Sequence, residues 1–232
     1  MKRLVEPELL DDLPHDDPEA IGSRRDIARL NRVMGNGHIL KDLLRQGIRK
    51  QTPRRVVELG AGDGTLMLEL VRQLSGEWKG VELVLVDRKS AVTAETRVEF
   101  KALGWGLETA VADVFDWLEK SEARAEVMVA NLFLHHFQEN ELARLLTLAA
   151  ARTDVFVVCE PRRGILPLAF SHLVGFLGCN AVTRHDAVAS VRAGFAGSEL
   201  SALWPAKREW RLQERSEGLF THAFLAERNN AT

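Results

Sequence analysis

Three glycines at every second position, Gly60, Gly62 and Gly64, follow the stretch Val56-Val57-Glu58-Leu59. An amphipathic run of Leu66, Met67, Leu70, Val71 and Leu74 comes next. This reads as strand, tight turn and helix. Glycine is needed where the backbone takes positive φ or where a ligand lies on bare peptide. A helix N-terminus just beyond the turn offers free N–H groups and the positive end of a dipole. The turn is therefore suited to a nucleotide-like ligand. Further along, Asn131 and the adjacent pair His135 and His136 form a second chemical cluster. An imidazole titrates near neutrality, so either histidine could remove a proton from a phenol or an acidic carbon. The alternative is a structural role, capping the next helix or bonding to backbone.

These residues need elements to hold them. From Arg55 onward strands alternate with helices, the signature of a parallel sheet covered on both faces. Strands are expected at 81–86, 107–112, 126–130 and 154–159, and helices at 91–103, 138–151 and 186–193. The strands end at Asp87, Asp113, Asn131 and Glu160. The carboxyl edge of such a sheet is where open α/β folds bind ligands. A closing hairpin is expected from 210–213 and 220–227. Ahead of the first strand, residues 1–22 read as an extended arm or lid. Ser23 is placed to cap a helix carrying Ile27, Leu30 and Met34. Gly35 and Gly37 should break that helix, and a second should run from Ile39 to Pro53. The expected organisation is thus 1–50 as arm and cap helices and 51–232 as the ligand-binding domain. Residues 161–185 form an apolar insertion, too long for a simple connection between strand and helix. Asp116 is expected to cap the short helix with Trp117.

The spacing narrows the ligand. The dinucleotide fingerprint is G-x-G-x-x-G, whereas this chain has E-x-G-x-G-x-G at Glu58 to Gly64. That form resembles the first motif of class I S-adenosylmethionine-dependent methyltransferases. The segment Asn131 to Phe137, N-x-x-x-H-H-F, resembles small-molecule methyltransferases of the ubiquinone-biosynthesis branch. The resemblance spans roughly 55–228. It implies an α/β, Rossmann-like class I methyltransferase fold: a mostly parallel seven-stranded sheet with helices on both faces and a C-terminal antiparallel hairpin. It also implies S-adenosyl-L-methionine as cofactor and S-adenosyl-L-homocysteine as product. By the same resemblance, Glu58, Gly60, Ala61, Gly62 and Gly64 hold the methionine and adenosine. Asp87, with Arg88 beside it, takes the ribose, Asp113 and Val114 take the adenine, and Asn131 and Leu132 lie beside the methyl group. Arg88 would also suit a 2′-phosphate, so an NAD(P)-dependent oxidoreductase is an alternative, as is an S-adenosylmethionine-binding protein without catalysis.

Composition limits the acceptor. With 31 basic and 33 acidic residues the formal charge is −2, which gives no electrostatic footprint for nucleic acid. The chain also lacks the N/D-P-P-Y/F tetrad of enzymes that methylate base amino groups. Cys159 and Cys179 are the only cysteines, too few for a disulfide framework or zinc cluster. A cytoplasmic protein without a metal is expected, because no converging set of acidic ligands can be read from the sequence. No apolar run reaches the ~18 residues of a membrane span. There is no tyrosine, so a tyrosine base is excluded. The apolar insertion suits an aromatic, polyketide-like or lipidic acceptor, or else a dimer contact. The expected reaction is methylation of a hydroxyl oxygen on such a small molecule, with carbon or nitrogen methylation second. The expected state is a monomer or homodimer.

Overall fold

The computed structural model describes residues 1–14, 16–48, 52–89, 91–121 and 124–229. Its centre is strand β1 (Arg55–Leu59), where Val56 and Val57 point to opposite faces of the sheet and both are fully buried. Helix α4 (Thr65–Leu74) follows the glycine turn and leads to β2 (Glu82–Asp87). Next come α5 (Ala94–Ala102), β3 (Gly106–Val111), α6 (Val114–Lys120) and β4 (Ala125–Asn131). Helix α7 (Glu139–Arg152) returns the chain to β5 (Thr153–Pro161). The last strands, β6 (Trp210–Glu217) and β7 (Thr221–Arg228), form the hairpin. The seven strands lie in the order β3-β2-β1-β4-β5-β7-β6. β7 enters antiparallel between β5 and β6, and the other pairings from β3 to β5 are parallel.

Burial on both faces explains the near-continuous Val runs of β1, β4 and β5. One face packs Val57, Met128, Phe156 and Phe224 with Trp204. The other packs Val56, Val127 and Val155 against Leu40, Leu70 and Trp78.

The N-terminal region departs from expectation. Asp17, not Ser23, caps α2 (Pro18–Met34), accepting a 2.7 Å bond from the Glu19 N–H, and Pro18 occupies the first helical position. Ser23 lies buried in mid-helix and donates to Asn180 Oδ1 at 3.0 Å. The arm is not simply extended: Leu9–Asp12 forms a short helix, α1, whose Leu9 and Leu10 N–H groups donate to the Asp186 carboxylate at 2.9 and 3.0 Å. Gly35, at φ +74°, ends α2 as expected, but Gly37 lies inside α3 (Asn36–Gly47). The expected helix at 49–51, and the boundary at 50 and 51, fall outside the described residues.

The 161–185 insertion divides into α8 (Ile165–Ser171), a 3₁₀ turn (Val174–Leu177) and the start of α9 (Ala181–Ala193). Helix α9 begins earlier than expected because Asn180 caps it, accepting from the Thr183 N–H at 2.8 Å. Helix α10 (Glu199–Leu203) then leads to β6. No helix among the described residues is long and apolar enough to cross a membrane.

Candidate active site

The glycine turn is fixed from both sides. Gly60, Gly62 and Gly64 have φ of +72°, +56° and +75°, the left-handed region where only glycine is unstrained. The N–H groups of Gly60 and Ala61 donate to the Val86 carbonyl at 2.9 and 3.1 Å, tying the turn to β2. A β-carbon on Gly60 would sit 2.2 Å from the Phe133 ring, and one on Gly64 2.8 Å from Leu85. Beside Gly62 there is open space.

Glu58 lies under this turn, buried, with Oε2 unpartnered. Burial, then the charges of Asp63 and Asp87, push its carboxyl well above the usual range. At the tip of β2, Asp87 accepts from the Gly62 N–H at 2.8 Å and from the Lys89 N–H at 2.9 Å. Each carboxylate oxygen retains a second lone pair for a hydroxyl. Lys89 Nζ reaches over to the carbonyls of Asp11 and Leu13 at 2.6 and 2.9 Å, and Arg88 lies 3.8 Å from the Asp11 carboxylate. The arm is thereby pinned across the end of β2.

The β4 end is built by a carboxylate that turns the chain back. Leu132 sits at φ +49°, a conformation costly for a branched side chain. Glu160 then accepts from the Phe133 and Leu134 N–H groups at 2.9 and 2.7 Å, and from His135 Nδ1 at 2.7 Å. The opposite nitrogen of His135 lies 3.1 Å from Glu8 Oε1. Burial opposes charge on this imidazole, but the bonds and charges of Glu160 and Glu8 outweigh it and push the group up to about 10. Glu8 responds in the other direction. Its burial is outweighed by His135, His136 and Ser190, which hold it below the ordinary carboxylate range. With the arm in place both ring nitrogens of His135 face carboxylates, which favours the charged form of the imidazole. His136 is a quarter exposed, with Nδ1 3.4 Å from Asp11 Oδ2. The hydrogen bond from His136 is the main reason the Asp11 carboxyl is lowered.

Asn131 joins a buried amide cluster rather than standing alone. Asn36 Nδ2 donates to Asn31 Oδ1 at 2.8 Å and to Asn131 Oδ1 at 3.0 Å. Thr221 closes the group on Asn36 Oδ1 at 2.7 Å. The cluster links α2, α3, β4 and β7.

All these elements surround a cavity of about 710 Å³, within the ~300–1,000 Å³ of small-molecule sites. Glu58, Gly60, Ala61, Gly62, Asp87, Arg88, Asn131, Leu132, His135 and His136 border it. Gly64, Asp113 and Val114 do not. Asp113 instead caps α6, accepting from the Phe115 and Asp116 N–H groups at 2.9 and 3.4 Å. It thus takes the capping role assigned to Asp116. The far wall is apolar, with Ile27, Leu30, Pro167, Phe170 and Val174.

Sequence reasoning missed Glu8, Asp11, Asn31 and Asn36. It noted Glu160 only as a strand end. It also found no converging metal ligands, yet Glu8, His135 and His136 bring ligand atoms within 4.8 Å of one another. In this structure His135 Nε2 lies 3.1 Å from Glu8 Oε1, and His136 Nε2 lies 3.9 Å from Glu8 Oε2.

An adenosylmethionine fits these residues. The orphaned Glu58 oxygen can meet a donor, the space at Gly62 admits a ligand against bare backbone, and Asp87 has lone pairs for hydroxyls. Residues 56–153 match the family model described as a methyltransferase domain. No curated protein matches the sequence. Among solved structures, the plantazolicin methyltransferase BpumL in complex with SAH superposes with a TM-score of 0.67 at 12% identity, covering 92% of each chain. The mitomycin 7-O-methyltransferase MmcR gives 0.57 at 20% identity over 95% of this chain and 60% of that one. Human N-acetylserotonin methyltransferase in complex with SAM gives 0.55 at 14%, over 94% and 60%. The chain thus spans about 60% of the length of the latter two. The strand order and the glycine turn give this chain the fold of these solved methyltransferases, and its residues 56–153 carry the match to the methyltransferase-domain model.

Proposed function

We propose that this chain is an S-adenosylmethionine-dependent methyltransferase that acts on a hydroxyl oxygen of a small, largely apolar acceptor, aromatic or polyketide-like, with His136 as the general base. The observation that carries this reading is the single cavity joining the glycine turn to an apolar wall, with His136 at its border. The cofactor supplies an already activated sulfonium methyl, so alignment accounts for much of the rate. The chain's part is to bind, orient and take a proton. Asp87 and the backbone of Gly60 to Gly62 hold the adenosine end, and Glu58 meets the methionine end. Asp11 holds the Nδ1–H of His136, which leaves Nε2 as the proton acceptor for a hydroxyl. His135, fixed as a cation between Glu160 and Glu8, seats the loop that carries His136. Residues 1–50 act as a cap on the 51–232 domain, since α2 and the arm supply one wall of the cavity. The free thiols Cys159 and Cys179 suit a reducing, cytoplasmic setting.

The MmcR and N-acetylserotonin enzymes, named for small-molecule methylation, support the acceptor class by analogy of fold. The deciding experiment is calorimetric titration with adenosylmethionine, adenosylhomocysteine, NAD and NADP, followed by a screen of phenolic acceptors. Micromolar binding of the two sulfur cofactors alone, with turnover on a phenol, is expected. Binding of a nicotinamide cofactor instead would overturn the reading. An intact cofactor site with no turnover on any acceptor would leave a binding protein.

A further inference from the structure

The insertion between β5 and α9 exposes apolar side chains that its own fold could have buried. Ile165 is 82% exposed, Leu166 60% and Phe176 87%, with Phe170, Leu173 and Leu177 each near half. A soluble surface rarely concentrates so many large apolar groups in one short stretch unless it meets something. Two independent features indicate what it meets. First, residues 161–185 contain Arg162, Arg163, Arg184, His172 and His185 but no Asp or Glu; Arg163 is buried against Glu199 and His185 is bonded to Asp186, which leaves Arg162, Arg184 and His172 as the basic groups of this face. Arg184 packs against Gly175 in the 3₁₀ turn, 2.9 Å from where a β-carbon would be, and Arg29 of α2 donates to the Leu177 carbonyl at 2.8 Å. Arg25, Arg29 and Arg32 line a groove that ends at Gly178, with Asp26 and Glu69 offsetting part of their charge. Second, Phe170, Leu173, Phe176 and Leu177 also border the cavity, so the apolar patch is continuous with its wall.

We propose that this face docks on an anionic lipid bilayer. Ile165, Leu166 and Phe176 enter the headgroup boundary, while the exposed Arg25 and Arg184 meet the phosphates. The cavity then opens at the membrane surface, and a lipophilic acceptor partitioned there reaches it without crossing bulk water. Delivery of the acceptor rests on the proposed function; the docking does not.

The test is vesicle co-sedimentation of the full chain and of the double variant Ile165→Asp/Leu166→Asp. These two residues lie outside the cavity wall, and aspartate is favourable in the first turn of a helix, so the fold should persist. An unchanged melting temperature and adenosylmethionine affinity would verify that. With phosphatidylglycerol–phosphatidylcholine vesicles the native chain should sediment at least tenfold more strongly than with phosphatidylcholine alone. Binding should weaken with salt, and the double variant should lose tenfold or more. No sedimentation with either vesicle, or a double variant that binds like the native chain, would overturn the docking. A solution dimer that the same substitutions split, without vesicle binding, would assign the face to a second copy and likewise overturn it. Loss of vesicle binding with turnover on a water-soluble phenol intact separates the docking from the catalytic reading. Failure of adenosylmethionine to bind would sink only the latter.

Discussion

His135 and Glu160 are 25 residues apart in the chain and 2.7 Å apart in space, while Glu8, 127 residues upstream of the same histidine, lies 3.1 Å from its other ring nitrogen. A buried imidazole between two carboxylates holds its proton far longer than it would in the unfolded chain. The raised value, about 10 against 6.5, means the stabilisation is complete below pH 6.5 and is lost as pH rises through 10. The native chain should therefore lose on the order of 5 kcal/mol over that interval. Thermal melts of the native chain and of His135→Gln would check it, and parallel pH slopes for the two would rule out the imidazolium. Glu8 acts at the other end of the scale. Its lowered carboxyl contributes stability that disappears as pH falls below the usual carboxylate range.

Removing the proposed base should affect turnover rather than binding. His136→Ala should lower kcat by about 10²-fold and leave adenosylmethionine affinity within about twofold. Asp11→Asn should give a smaller loss in kcat, since it only orients the imidazole. Steady-state kinetics beside calorimetry would decide, and unchanged kcat in His136→Ala would return that residue to a structural role.

At the tip of β2, Asp87→Ala should weaken adenosylmethionine binding by tenfold or more. It removes both the acceptor for ribose hydroxyls and the bond that fixes the Gly62 N–H at 2.8 Å. Affinity equal to the native chain's would exclude the ribose assignment.

The glycines of the turn should fail in different ways. Gly60→Ala places a methyl in the Phe133 ring and keeps a strained φ, which should cost about 2–4 kcal/mol of stability. Gly62→Ala meets open space, so its loss should be nearer ~1 kcal/mol. Its new methyl intrudes where the ligand lies, and cofactor affinity should fall more than stability. Denaturant melts and titrations on both variants would reveal the crossover.

Chelation bears on the Glu8, His135 and His136 group. If these residues serve only as an ion-paired cluster, dialysis against EDTA should leave turnover unchanged. Loss of activity, restored by a divalent ion, would reassign the three as ligands.

Most of the sheet was legible in the sequence because its signals are local. Val-rich runs ending in Asp87, Asn131 or Glu160 gave strands and their functional edge, and the glycine spacing gave the turn. The parts that escaped depend on distant chain. Nothing near His135 announces that Glu8 will reach it, and the amides of Asn31 and Asn36 are ordinary helix residues until β4 brings Asn131 beside them. Local capping also competed among neighbours. Asp17 ahead of Pro18 outranked Ser23, and Asp113 outranked Asp116, because each stood at a chain reversal with extended backbone. The exposed apolar face of the insertion was readable as helical spacing, but its exposure was not.

The missing side chain of Gly60 has a thermodynamic consequence. The Phe133 ring fills the space where a β-carbon would be, and Phe133 immediately precedes the 3₁₀ turn Leu134–His136. The same ring lies 6.5 Å, centroid to centroid, from the His136 imidazole, so one aromatic side chain adjoins both the glycine turn and the histidines. Where that ring transmits a shift between a ligand at the turn and a molecule at the histidines, reciprocity requires each to change the other's affinity by the same factor.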